Sequence, residues 1–123
     1  MSETGRMEVV NVVGMEFVDN GRSLRLEIVA SIPPYATSYL TFRNTYGIKL
    51  FQAGGEEFPM VVVDLTWRAI PDEEKQQFLS AHEYPILDQL QRPLPLARPL
   101  VLSHLEGAIV GDVFAEEVIV DSS

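Results

Sequence analysis

The stretch Pro59-Met60-Val61-Val62-Val63-Asp64-Leu65-Thr66-Trp67 narrows the range of folds open to this chain. It is rich in β-branched and aromatic side chains, and its one proline stands at the entrance, so it reads as a strand. With a period of two, Val61, Val63, Leu65 and Trp67 share one face, and Met60, Val62, Asp64 and Thr66 share the other. The first face is wholly apolar and the second turns polar towards its end. That pattern predicts a central strand packed on one side and partly covered on the other.

The front half of the chain continues the β pattern. Residues 1–6 read as a frayed, disordered terminus. Residues 7–18 read as a first strand, with a bulge or close backbone approach at Gly14. Asp19-Asn20-Gly21 then predicts a tight hairpin, because these residues tolerate positive φ. Residues 23–30 return with Leu24, Leu26 and Ile28 on one face. Pro33-Pro34 ends that strand, since proline cannot donate to a ladder. Residues 39–43 alternate again with Leu40 and Phe42 inward, Asn44 to Gly47 read as a turn or bulge, and Ile48 to Phe51 as a short extended segment. Gly54-Gly55 in the following loop is no phosphate cradle: it lacks the lysine and hydroxyl of a P-loop, and Glu56-Glu57 follow at once.

After Trp67 the pattern changes. Ile70-Pro71-Asp72-Glu73-Glu74-Lys75 predicts a helix start, with proline in the first turn and acids at the positive end of the dipole. Phe78, Leu79 and His82 form an apolar side, and Pro85 kinks or breaks the helix. The helical segment is expected over 70–91, and 92–99 as a proline-rich connector without a Pro-x-x-Pro ligand motif. Leu100 to Leu105, Ala108 to Val110 and Val113 to Val120 return to β character.

Together these signals predict one domain over 1–123 of the α+β class. The expected sheet is mostly antiparallel, a curved sheet or half-open barrel of about six to eight strands, with one kinked helical segment, 72–91, packed across it. The expected core comprises Leu24, Leu26, Ile28, Leu40, Phe42, Val61, Val63, Leu65, Phe78, Ile109 and Val118.

A chain of 123 residues is one domain long, and folding at that size removes about two thirds of the unfolded chain's surface from water. There are no cysteines, which excludes disulfides, thiol nucleophiles and Cys-ligated zinc and agrees with a reducing cytoplasm. No signal peptide or membrane span is evident. The net charge is −9 and uneven: residues 1–61 carry 5 basic and 7 acidic side chains, residues 62–123 carry 4 and 11. Nucleic acid and an anionic membrane are disfavoured as partners, because both need a basic patch. A basic protein partner suits the charge.

The chemistry-bearing candidates cluster late in the chain: His104, Glu106, Asp112, Glu116 and Glu117, with Asp64 on the central strand. His104 and Glu106 are two apart, so a strand points them the same way. His104, Glu106 and Asp64 are the candidates for acid–base work, and His104, Glu106 and Asp112 for a metal. The commoner alternative is a solvated strand face in a chain rich in acids. No serine sits in a Gly-x-Ser-x-Gly elbow, Ser103 points away from His104, and no dinucleotide fingerprint calls for a cofactor.

The opening strand, Asp19-Asn20-Gly21, Leu40-Thr41-Phe42-Arg43-Asn44, and the closing Glu106-Gly107 with Ala115-Glu116-Glu117-Val118-Ile119-Val120 resemble small bacterial β-rich domains, uncharacterised or toxin-immunity-like. The resemblance implies protein binding, an acidic surface meeting a basic enzyme. The leading functional expectation is thus a non-catalytic protein-interaction module, immunity-like or a small complex subunit. Two alternatives stand beside it. One is a small-ligand-binding or hydrolytic domain with a pocket near Trp67, Asp64, His104 and Glu106. The other is a homo-oligomeric structural subunit pairing through a strand edge.

Overall fold

The structure, a computed structural model, describes residues 4–52, 59–75, 77 and 99–122. Six strands dominate it: β1 (Gly5–Val18), β2 (Ser23–Ala30), β3 (Thr37–Gln52), β4 (Met60–Ala69), β5 (Val101–Gly107) and β6 (Ile109–Ser122). Every paired neighbour is antiparallel, in the order β1-β2-β3-β6-β5-β4. β4 pairs back onto β1, from Gly5 opposite Trp67 to Val12 opposite Met60, and this closes the barrel. Closure gives every strand a neighbour on each side, while β3 past Thr45 and β6 past Ala115 pair on one side only.

The α+β assignment is therefore corrected. Among the described residues the fold is all-β, a closed six-stranded barrel, and no helix packs across the sheet. Pro71 and its acids do start a helical turn: a 3-10 turn, Asp72–Glu74, after which Lys75 and Gln77 are helical. One turn of that geometry is the usual length of such a piece. The rest of the expected helix, with Phe78, and the connector up to residue 98 lie outside the described residues. No helix among the described residues is long and apolar enough to cross a membrane.

The hairpin forms where Asn20-Gly21 places it. Asp19, Asn20 and Gly21 all have positive φ, Gly21 N–H donates to Val18 C=O at 3.1 Å, and β2 spans 23–30 as expected. β3 is one strand of 16 residues, not two. Asn44 to Gly47 bends it without breaking it: Asn44 has φ +51, and the register against β6 shifts between Thr45 and Gly47. β6 likewise runs through Gly111-Asp112. β1 starts at Gly5, so Gly5 and Arg6, expected in a frayed end, pair with Trp67 and Thr66.

Leu24, Leu26, Ile28, Leu40, Phe42, Leu65, Ile109 and Val118 are buried in the core as expected. Val61 and Val63 are not. They stand 46% and 55% exposed, while Met60 and Val62 are buried. The cause is a bulge. Val62 pairs with Gly107 but Asp64 pairs with Glu106, so one extra residue sits on β4 at Val63. The alternation slips there, and inward positions pass from Met60 and Val62 to Leu65 and Trp67. A single period of two across the whole stretch therefore put half of it on the wrong face.

Candidate functional site

The outer face of β4, β5 and β6 carries the residues singled out from sequence. His104 and Glu106 project from one face of β5, as their spacing requires. The tight β5–β6 connection folds Asp112 directly opposite His104. The imidazole is held from both sides: Nδ1 lies 2.6 Å from Asp112 Oδ1 and Nε2 lies 3.1 Å from Glu106 Oε1. Both partners are carboxylates, which accept but do not donate when ionised. An imidazolium, with two N–H groups, is the state that satisfies both contacts. Burial pulls the His104 pKa down, but hydrogen bonds to Asp112 and Glu106, and the charges of both, outweigh it and leave the value raised.

Asp64 faces Glu106 across the β4–β5 ladder, yet it is turned to β1. Arg6 Nε donates to Asp64 Oδ1 at 2.9 Å and Nη2 to Oδ2 at 3.3 Å, and Glu8 approaches Nε at 3.3 Å. That hydrogen bond, then the charges of Asp64 and Glu8, raise the Arg6 pKa. Glu116 and Glu117 lie elsewhere on β6, where Glu116 accepts from Asn44 and Glu117 pairs with Arg43. Among the described residues no group of three or more His, Asp or Glu side chains is arranged to hold a metal. Ser103 points inward and donates to Thr66 C=O at 2.9 Å, away from His104.

Beside the His104 clasp lies a cleft of about 530 Å³. Leu102 and the small exposed part of Trp67, which is otherwise buried in the core, give it apolar surface; Arg6, Arg68 and His104 bring basic groups, and Thr4, Gly5 and Thr66 complete the described lining. Gly5 is the reason Trp67 can lie there: a Cβ at residue 5 would come within 2.2 Å of the indole ring. Two other clefts are smaller, about 470 Å³ around Phe17 and Tyr46 and about 320 Å³ around Arg25 and Tyr39. In the last, Arg25 pairs with Glu16 and lies 5.3 Å from the Tyr39 ring centroid, so its cation is already engaged.

Of the four residues expected around one pocket, Trp67 and His104 line this cleft, and Asp64 and Glu106 do not. Glu106 and Asp112 contact His104, Asp64 contacts Arg6, and none of the three is in the described lining. Arg6, Arg68, Thr66 and Leu102 were not singled out from sequence. Their shared position follows from the pairing of β1, β4 and β5, which no local pattern specifies.

The His104 clasp has a pH signature. A raised folded pKa means that its stabilisation is fully present below the unfolded value of about 6.5 and is lost as pH rises through the folded value. His104 is partly exposed, so screening keeps the effect below about 1 kcal/mol. Unfolding in urea across pH 5–9 should show this loss, and Asp112→Asn should flatten it. An identical slope in the variant would remove Asp112 as the cause.

No family model matches the chain, and no curated protein matches it. Among solved structures, an uncharacterized protein from Neisseria gonorrhoeae is similar, with TM-score 0.57, 15% sequence identity and 95% of each chain covered. At that identity the likeness concerns the fold alone.

Proposed function

We propose that this protein is a non-catalytic binding domain whose site is the cleft over β1, β4 and β5, made to hold a small molecule. The observation that carries the reading is the cleft itself: about 530 Å³, with Leu102 and the small exposed part of the mostly buried Trp67 as its apolar surface. That volume falls in the range of small-molecule sites, which are mostly apolar with a few placed polar groups. Binding is favoured over hydrolysis because both nitrogens of His104 are occupied by carboxylates. A general base needs a free nitrogen within reach of its proton. The expectation of a basic protein partner rests on total charge, whereas this cleft presents bases, so the small-ligand reading ranks first.

Trp67 is the sole tryptophan of the chain, and its indole N–H gives a single resolved NMR signal at the site. In a fragment screen, compounds that bind should shift that signal together with the amides of Gly5, Thr66 and Leu102, in a saturable way. Thr66→Phe should fill the cleft and abolish the shifts. If the compounds bound instead at the Phe17–Tyr46 cleft, with the Trp67 signal unmoved, the assignment would fail.

A further inference from the structure

We infer that the edge of β3 from Gly47 to Gln52 is a docking site for an extended segment of a partner protein. The segment adds there as a further antiparallel strand, with an acidic side chain set against Lys49. This site is separate from the cleft over β1, β4 and β5 and does not depend on it. The last link between β2 and β3 is the Thr45 N–H, which donates to Arg22 C=O at 2.7 Å. Beyond it β3 runs on past the start of β2, and Gly47 to Gln52 pair with β6 alone, from Phe114 to Ile109. Alternate residues of such a strand turn their N–H and C=O groups to opposite sides. This stretch therefore presents a row of backbone donors and acceptors that no strand of the described residues meets. There is room beside it: a cleft of about 470 Å³ adjoins Gly47 and Ile48 at the start of the row, and Phe17, 61% exposed, is in its lining.

The chemistry of the edge selects its occupant. An extended backbone is what satisfies such a row, and strand addition at an open edge is a recurring mode of peptide recognition. Ile48 and Leu50 pack against the barrel core, whereas Lys49 and Phe51 are exposed. A strand laid alongside sets apolar side chains beside Ile48 and Leu50, and places its outward side chains beside Lys49 and Phe51. Among the described residues no carboxylate pairs with Lys49, because Asp112, its ladder neighbour on β6, is turned to His104 at 2.6 Å. An acid opposite Lys49 is thus favoured.

The same lysine disfavours a second copy of this chain. Two such edges paired antiparallel about Lys49 set lysine against lysine, and two chains of net charge −9 repel at longer range. That long-range charge favours a partner that is basic as a whole, with its acid at the docking position. The other one-sided stretch, β6 past Ala115, is guarded. Glu116, Glu117 and Asp121 lie along it, and Glu116 and Glu117 are engaged by Asn44 and Arg43.

The test uses the full chain and two end-blocked peptides, Lys-Thr-Val-Glu-Val-Thr-Lys and the same sequence with glutamine for glutamate. Both are titrated by NMR at about 0.15 M salt, where charges beyond about 8 Å are screened. The glutamate peptide should shift the amides of Gly47 to Gln52 saturably and slow hydrogen exchange at alternate residues of that stretch. The glutamine peptide should bind about threefold more weakly. Lys49→Gln should erase that preference and Lys49→Glu should reverse it. A preference unchanged in both variants would overturn the role of Lys49. Shifts outside this stretch, shifts without slowed exchange, or no shift at millimolar peptide would overturn strand addition. Amides of Gly47 to Gln52 already protected in the monomer would mean that the chain covers its own edge. Protection that grew with protein concentration would make the occupant a second copy. Either result would overturn the inference and leave the small-molecule cleft untouched.

Discussion

Phe42→Ala is expected to cost the fold about 3–5 kcal/mol, a large part of the stability of a domain this size. Phe42 is fully buried in the barrel interior, with Leu24 of β2 and Val118 of β6 as its ladder partners, both also buried. Truncation removes the ring's transfer energy and leaves a void. The void closes poorly here, because ladder hydrogen bonds on both sides of every strand hold the barrel wall in place. Urea unfolding should show a much lower midpoint with an unchanged slope. Phe51→Ala is the control: Phe51 lies nine residues further along β3, stands 59% exposed, and should change stability by less than about 0.5 kcal/mol. A loss below about 1 kcal/mol for Phe42→Ala would mean that the interior collapses to fill the space.

The parts of this fold readable from sequence are the local ones. Asp19-Asn20-Gly21 places the first hairpin because positive φ at successive residues is a property of those residue types. His104 and Glu106 share a face because side chains alternate along a strand. Closure is different in kind. The pairing of Gly5 with Trp67 joins residues that are 62 apart in sequence, and nothing in either segment names the other. Arg6 and Arg68 were missed for that reason: their common cleft exists only once β1 lies beside β4. Val61 and Val63 failed for another. The bulge at Val63 is a property of the β4–β5 register, set by Gly107, whose Cβ, were there one, would lie 2.5 Å from Val61 C=O. The helix start at Pro71 is a real local signal: the 3-10 turn Asp72–Glu74 forms there, and Lys75 and Gln77 are helical.

The dependence of the site on backbone geometry can be tested at Gly111. This residue has φ +146, and a Cβ built there would lie 1.9 Å from the Lys49 carbonyl oxygen of the neighbouring strand. Two costs follow for Gly111→Ala. The side chain must adopt a backbone conformation that L residues rarely take, at about 1–3 kcal/mol. β3 and β6 must also separate locally, because the clash is with backbone and cannot be relieved by a rotamer change. Together these should lower stability by roughly 2–4 kcal/mol. The next residue is Asp112, which pairs with Lys49 on one side and His104 on the other. Moving the β6 backbone therefore moves the carboxylate that lies 2.6 Å from His104 Nδ1. The His104 pKa, raised in the native clasp, should fall back towards its ordinary value. Asp112→Asn separates the two effects: it should lower the His104 pKa with little loss of stability, since only one exposed clasp contact is altered. Both variants are read by urea unfolding and by NMR titration of the imidazole protons. Should Gly111→Ala unfold at the parental urea concentration with His104 titrating unchanged, the close β3–β6 approach is not what positions Asp112, and the clasp is fixed from the β5 side by Glu106.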